Sequence, residues 1–156
     1  MPRSVLRPIL LGGFIAGTID IGAACAINSV GPIIILQAIA SGVLGKASFA
    51  EGSGAAALGL VLQWAMSLLI AAIFVVASRR MPALRRRWVG AGLAYGVVIL
   101  VVMNYVVVPL SAIHRFPHFA LVHFLGDLLA MLVFGLIVAF FAREPSRSQA
   151  TRNEGH

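Results

Sequence analysis

Charge is what this chain has least of. Only 11% of its 156 residues are Asp, Glu, Lys or Arg, and five of them are acids. A soluble domain carries about 25%. Cysteine is nearly absent too: Cys25 stands alone, so no intrachain disulfide can form, and it reads as a small packed residue inside an apolar run. There are no low-complexity tracts and no long polar linkers, which leaves no room for a second domain. The standard catalytic signatures are missing as well. No GxSxG, HExxH, CxxC or phosphate-binding P-loop occurs, and the glycines of GGFIAG and GVLGKASFAEGSG open no βαβ unit. An enzyme is therefore not the expected class, and no cofactor is implied.

What is present is apolar surface. The chain is 60% hydrophobic against about 45–50% in soluble domains, an excess that requires a lipid-facing exterior. The net charge of +7 sits at the ends of apolar runs with few aromatics among it. That placement marks membrane topology and argues against a nucleic-acid partner. Arg3, Arg7 and the Ala23–Ala26 stretch loosely imitate a cleavable leader. Asp20 interrupts the apolar region, however, and Gly22 stands where a lipoprotein site prefers Leu. The segment reads as a retained first span.

A bilayer core needs about 20 apolar residues of helix. Four stretches qualify, at Val5–Ile27, Gly54–Ala77, Trp88–Leu110 and Phe119–Ala142. Pro32–Leu44 reads as a short interfacial or re-entrant helix, started by Pro32 and ended by Gly42 and Gly45, and too short to span. The expectation is an all-α membrane domain over residues 1–142, a four-helix bundle, followed by a disordered polar tail at 143–156.

Orientation follows from the basic residues. Arg3 and Arg7, the cluster Arg79, Arg80, Arg85, Arg86 and Arg87, and the tail's Arg143, Arg147 and Arg152 share one side. Lys46 and Arg115 lie on the other. The positive-inside rule then places both termini in the cytoplasm, with the arginine cluster as topology anchor. That cluster can also meet anionic headgroups, a generic property.

The segments AGTIDIGAA, GPIIILQAIASGVLG, ALGLVLQWAMSLLIAA and VVMNYVVVPLSA resemble, over nearly the whole chain, a widespread group of small uncharacterised bacterial four-span inner-membrane proteins. The YagU-like group is a weaker comparison. The resemblance implies a bacterial inner-membrane location and supports a short helix after the first span. It carries over no activity and no functional residues.

Small residues supply close packing where lipid gives helices little drive to associate. Gly13 and Gly17 share a face with Asp20; Ala56, Gly59, Gln63 and Ser67 form a second stripe; Gly92 and Gly96 form a third. Gly126 and Gly135 are less regularly placed. Four spans are few to enclose a pathway, so a homo-oligomer, a dimer above all, is the expected assembly within the lipid bilayer. The glycine faces permit it.

Depth is the more informative pattern. At 1.5 Å of rise per residue, Asp20, Gln63, Asn104, His123 and Asp127 all fall in the outer part of their spans. Charged groups facing lipid cost about 3 kcal/mol each, so these residues are expected to face one another, water or a ligand. Three readings compete. One is a structural polar network. Another is a proton- or cation-handling transport or ligand site, for which carboxylates beside a histidine titrating near neutrality are suited. The third is a metal site assembled from His123, Asp127 and Asp20, with His114 and His118 nearby. Pro117 breaks the helix that the last pair would need.

Overall fold

The computed structural model describes residues 3–112 and 121–143. Among these residues every regular element is helical. The order is α1 (Arg3–Asn28), α2 (Pro32–Leu44), α3 (Ser53–Arg80), α4 (Pro82–Arg86), α5 (Trp88–Val102), α6 (Val108–Leu110) and α7 (Leu121–Ala142). A 3-10 turn, Gly45–Phe49, follows α2, and a π-helical turn, Met103–Val107, joins α5 to α6. The π turn has a chemical cause. Pro109 lacks an N–H and its ring crowds the carbonyl four residues back, so the helix widens just before it.

Five helical stretches are long and apolar enough to cross a membrane: Val5–Asn28, Pro32–Phe49, Ser53–Arg80, Trp88–Leu110 and Leu121–Ala142. Their outward surfaces are studded with large apolar side chains such as Val61, Leu69, Ile73, Val98 and Leu129, each more than half exposed. Soluble monomers do not tolerate that much continuous apolar surface, whereas lipid does. The chain is thus a helical protein with the apolar segments of a multi-pass membrane protein.

The stretch Pro32–Phe49 differs from its sequence reading in length. The expectation of a segment too short to span counts only Pro32–Leu44. Gly45, with φ of 64°, turns the chain directly into the 3-10 segment, and the two together reach 18 residues.

Glycines set the packing. A Cβ on Gly13 would meet the Leu68 Cα at 3.0 Å, and one on Gly17 would overlap Ser67. These pairings run in opposite directions along the two helices, so α1 and α3 are antiparallel. Gly92 and Gly96 press in the same way against Gly135 and Met131, making α5 and α7 antiparallel. Gly12 faces Phe141 while Gly126 faces Ile27, which makes α1 and α7 antiparallel too. The small residues read as permitting a dimer are therefore spent on contacts within one chain.

A Cβ on Gly59 would overlap the Leu36 carbonyl, which brings α2 flush against the first turns of α3. Gln37 Nε2, buried, donates to the Gly52 carbonyl at 2.9 Å, and the Ala112 amide donates to the Gly42 carbonyl at 2.8 Å. Thus α2 is tied to the start of α3 and to the end of α6.

These pairings collect the start of α1, the end of α3, α4, the start of α5 and the end of α7 at one end, the arginine-bearing or basic end. The continuous apolar core lies toward it, built from Val5, Ile9, Phe74, Val75, Phe134 and Val138 among others. Tyr95 laces α5 to α3 there: its hydroxyl donates to the Ile70 carbonyl at 2.8 Å and its ring lies 4.9 Å from that of Phe74.

Candidate polar site at the end opposite the arginines

Each polar candidate continues a stripe that is buried farther along its own helix. On α1 the buried positions Ile9 and Ala16 lead to Asp20. On α3, Ser78, Ala71 and Ser67 lead to Gln63, and then to Gly59. On α7, Val138 and Phe134 lead through Met131 to Asp127. This is the i, i+4, i+7 register of one helix face. The apolar core therefore gives way to polar side chains at a common level, away from the basic end.

Asp20 and Gln63 meet. Gln63 Nε2 donates to Asp20 Oδ2 at 2.9 Å and makes a longer contact of 3.5 Å with the Gly17 carbonyl. Both side chains are half-buried. The absence of a Cβ on Gly17 lets the two backbones approach closely enough for this bond to form. His123 and Asp127 stand one turn apart on α7. Both α7 residues are exposed. The first two turns of α7 stand largely uncovered, with Leu121 and Val122 more than two-thirds exposed.

Asn104 turns back to its own helix. Its amide donates to the Leu100 carbonyl at 3.0 Å from inside the π turn. The metal assembly considered for Asp20, His123 and Asp127 is not formed. Among the described residues no three His, Cys, Asp or Glu side chains are gathered as an ion would need. Asp20 is engaged by the neutral amide of Gln63. His114 and His118 lie outside the described residues.

Trp64 reads from the sequence as a helix-end or packing residue that does not by itself mark a site, yet it belongs here. It follows Gln63 directly, packs its ring edge-on to Phe14 at 5.3 Å, and buries its Nε1 without a hydrogen-bond partner among the described residues. A buried N–H normally finds an acceptor. The signal available in sequence was the Gln63–Trp64 dipeptide inside a span, a place where indoles are otherwise concentrated at helix ends.

Chemically, the site offers two carboxylates, an imidazole, a neutral amide and an indole N–H. It can bind a proton or a small cation. No family model matches the chain, and no curated protein or solved structure is significantly similar to it.

Proposed function

We propose that this is a small multi-pass protein of a bacterial inner membrane, with four spans and both termini in the cytoplasm, that binds and passes protons or small cations through the polar layer in its outer half. The antiparallel course of α1 and α3 supports four spans. The end of α1 and the start of α3 lie at one face, so α2 must leave and return to it. A fifth crossing would also carry Arg79, Arg80 and Arg85–Arg87 to the outside, against the positive-inside rule.

The observation that carries the functional reading is the Asp20–Gln63 hydrogen bond beneath an exposed Asp127. A carboxylate inside a span costs several kcal/mol unless paired or hydrated. Here one acid is held by an amide and the second is left open. Asp20 and Asp127 serve as the ion or proton partners, His123 orients Asp127, and Gln63 supplies a neutral hydrogen bond.

One observation favours a second reading, an accessory subunit whose polar layer only fixes helix packing: the Asp20–Gln63 bond also staples α1 to α3. Proteoliposomes separate the two. With the wild type, an imposed pH gradient should collapse faster than in empty vesicles, and Asp20→Asn/Asp127→Asn should abolish the difference while leaving the protein folded. Equal fluxes for wild type and double variant would remove the transport reading.

A further inference from the structure

The basic end has a construction of its own. Arg143 closes α7 with its guanidinium carbon 4.7 Å from the Trp88 ring centroid and 4.1 Å from that of Phe140. The two rings meet edge-to-face at 5.8 Å. The guanidinium is thus seated on an aromatic corner where α5 begins and α7 ends, and it remains exposed. Arg86 and Arg87, also exposed, immediately precede Trp88. Arg7 on α1 and Arg80 on α3 approach the same end.

No acid among the described residues lies at this end. Asp20, Glu51 and Asp127 all lie toward the other. Like charges gathered at one end of the bundle repel one another and attract anions. A guanidinium held flat on indole keeps its edge N–H donors free for a bidentate acceptor. An indole at a helix end is also placed for the headgroup level of a bilayer.

We propose that the corner formed by Arg87, Trp88, Phe140 and Arg143 binds the phosphate of an anionic phospholipid of the adjoining leaflet. The inference rests on the membrane-spanning part of the functional reading and not on the polar layer. Trp88 and Phe140 lie against the acyl–headgroup boundary, Arg143 takes the phosphate, and Arg87 adds a second positive charge. Recognition here is of a lipid and not of free phosphate, because the aromatic walls favour a ligand with an apolar body.

The test uses the purified full chain in neutral detergent, titrated with phosphatidylglycerol, phosphatidylcholine or inorganic phosphate. Retained lipid is counted by native mass spectrometry, and the thermal midpoint is followed in parallel. Phosphatidylglycerol should be retained with about tenfold preference over phosphatidylcholine and should raise the midpoint saturably. Inorganic phosphate should do neither. Arg87→Gln/Arg143→Gln should lose the preference. Arg143→Lys keeps the charge and removes the planar fork, so it should lose most of the preference without altering the lipid-free midpoint. Equal retention of both lipids, an equal effect of inorganic phosphate, or full preference in Arg143→Lys would each overturn the proposal. None of these outcomes depends on ion flux. Extraction of the chain from membranes by alkaline carbonate would instead show that the spanning reading itself had failed.

Discussion

Gly59 and Leu36 touch backbone to backbone: a Cβ on Gly59 would overlap the Leu36 carbonyl oxygen and approach its Cα to 3.1 Å. This contact, more than any side chain, seats α2 on α3. Gly59→Ala should therefore destabilise the protein by about 1–3 kcal/mol, the usual cost of overpacking a rigid contact. Gly54, one turn earlier, has open space where a Cβ would go. Gly54→Ala should be neutral or slightly stabilising. Unfolding midpoints of the two variants in detergent check the contrast, and equal effects would show that the close approach does not hold α2.

The α5–α7 seam makes a parallel prediction. A Cβ on Gly96 would lie 2.9 Å from the Met131 carbonyl carbon, and Gly135 is as crowded by Gly96. Gly96→Ala and Gly135→Ala should each cost about 1–3 kcal/mol. Gly90 on the same helix is open, and Gly90→Ala should stay within about 0.5 kcal/mol. A disulfide cross-linking survey between α5 and α7 would register the separation of the helices directly.

The Asp20–Gln63 bond should show itself in a double-mutant cycle. Hydrogen bonds between membrane helices couple by about 0.6 kcal/mol on average and up to about 1.7. Asp20→Leu and Gln63→Leu should each destabilise, and the double variant should cost less than their sum by an amount in that range. Asp20→Asn retains an acceptor for the Gln63 amide, so it should be the mildest of the set. Additive losses would show that the two side chains do not interact in the folded protein.

Topology can be read with single cysteines in a Cys25→Ala background, since Cys25 is free. Gly31, Ala47 and Ala83 are exposed positions. With four spans, cysteines at Gly31 and Ala47 react with an impermeant thiol reagent from one face of the membrane and one at Ala83 from the other. Labelling of Gly31→Cys and Ala83→Cys from one face, and of Ala47→Cys from the other, would establish a fifth crossing.

The helices were legible because lipid imposes a length that apolar runs must meet, and because Pro32, Gly42 and Gly45 punctuate the chain by their backbone chemistry. The shared depth of Asp20 and Gln63 was legible, as was the face Asp20 shares with Gly17, but not which residue at that depth Asp20 would meet. Partnership among the rest was not legible either, because depth fixes a level and says little about azimuth. Asn104 satisfies its own helix, and its register is altered by the π turn ahead of Pro109. Gln37 was missed for a related reason. Its partner is the backbone carbonyl of Gly52, and a carbonyl carries no side-chain signature. Likewise the seat of Arg143 on Trp88 joins residues 55 positions apart, which no local pattern announces.

The uneven burial along the bundle has a mechanical meaning. Interlocked glycines and a continuous core clamp the helices together near the arginines, while the far turns of α7 have few neighbours. A body held at one end and free at the other bends most at its tip. Amide exchange should accordingly proceed fastest in the first turns of α7 and slow progressively toward Phe134 and Val138, so that compliance is graded along the helix axes and greatest where the ionisable side chains stand.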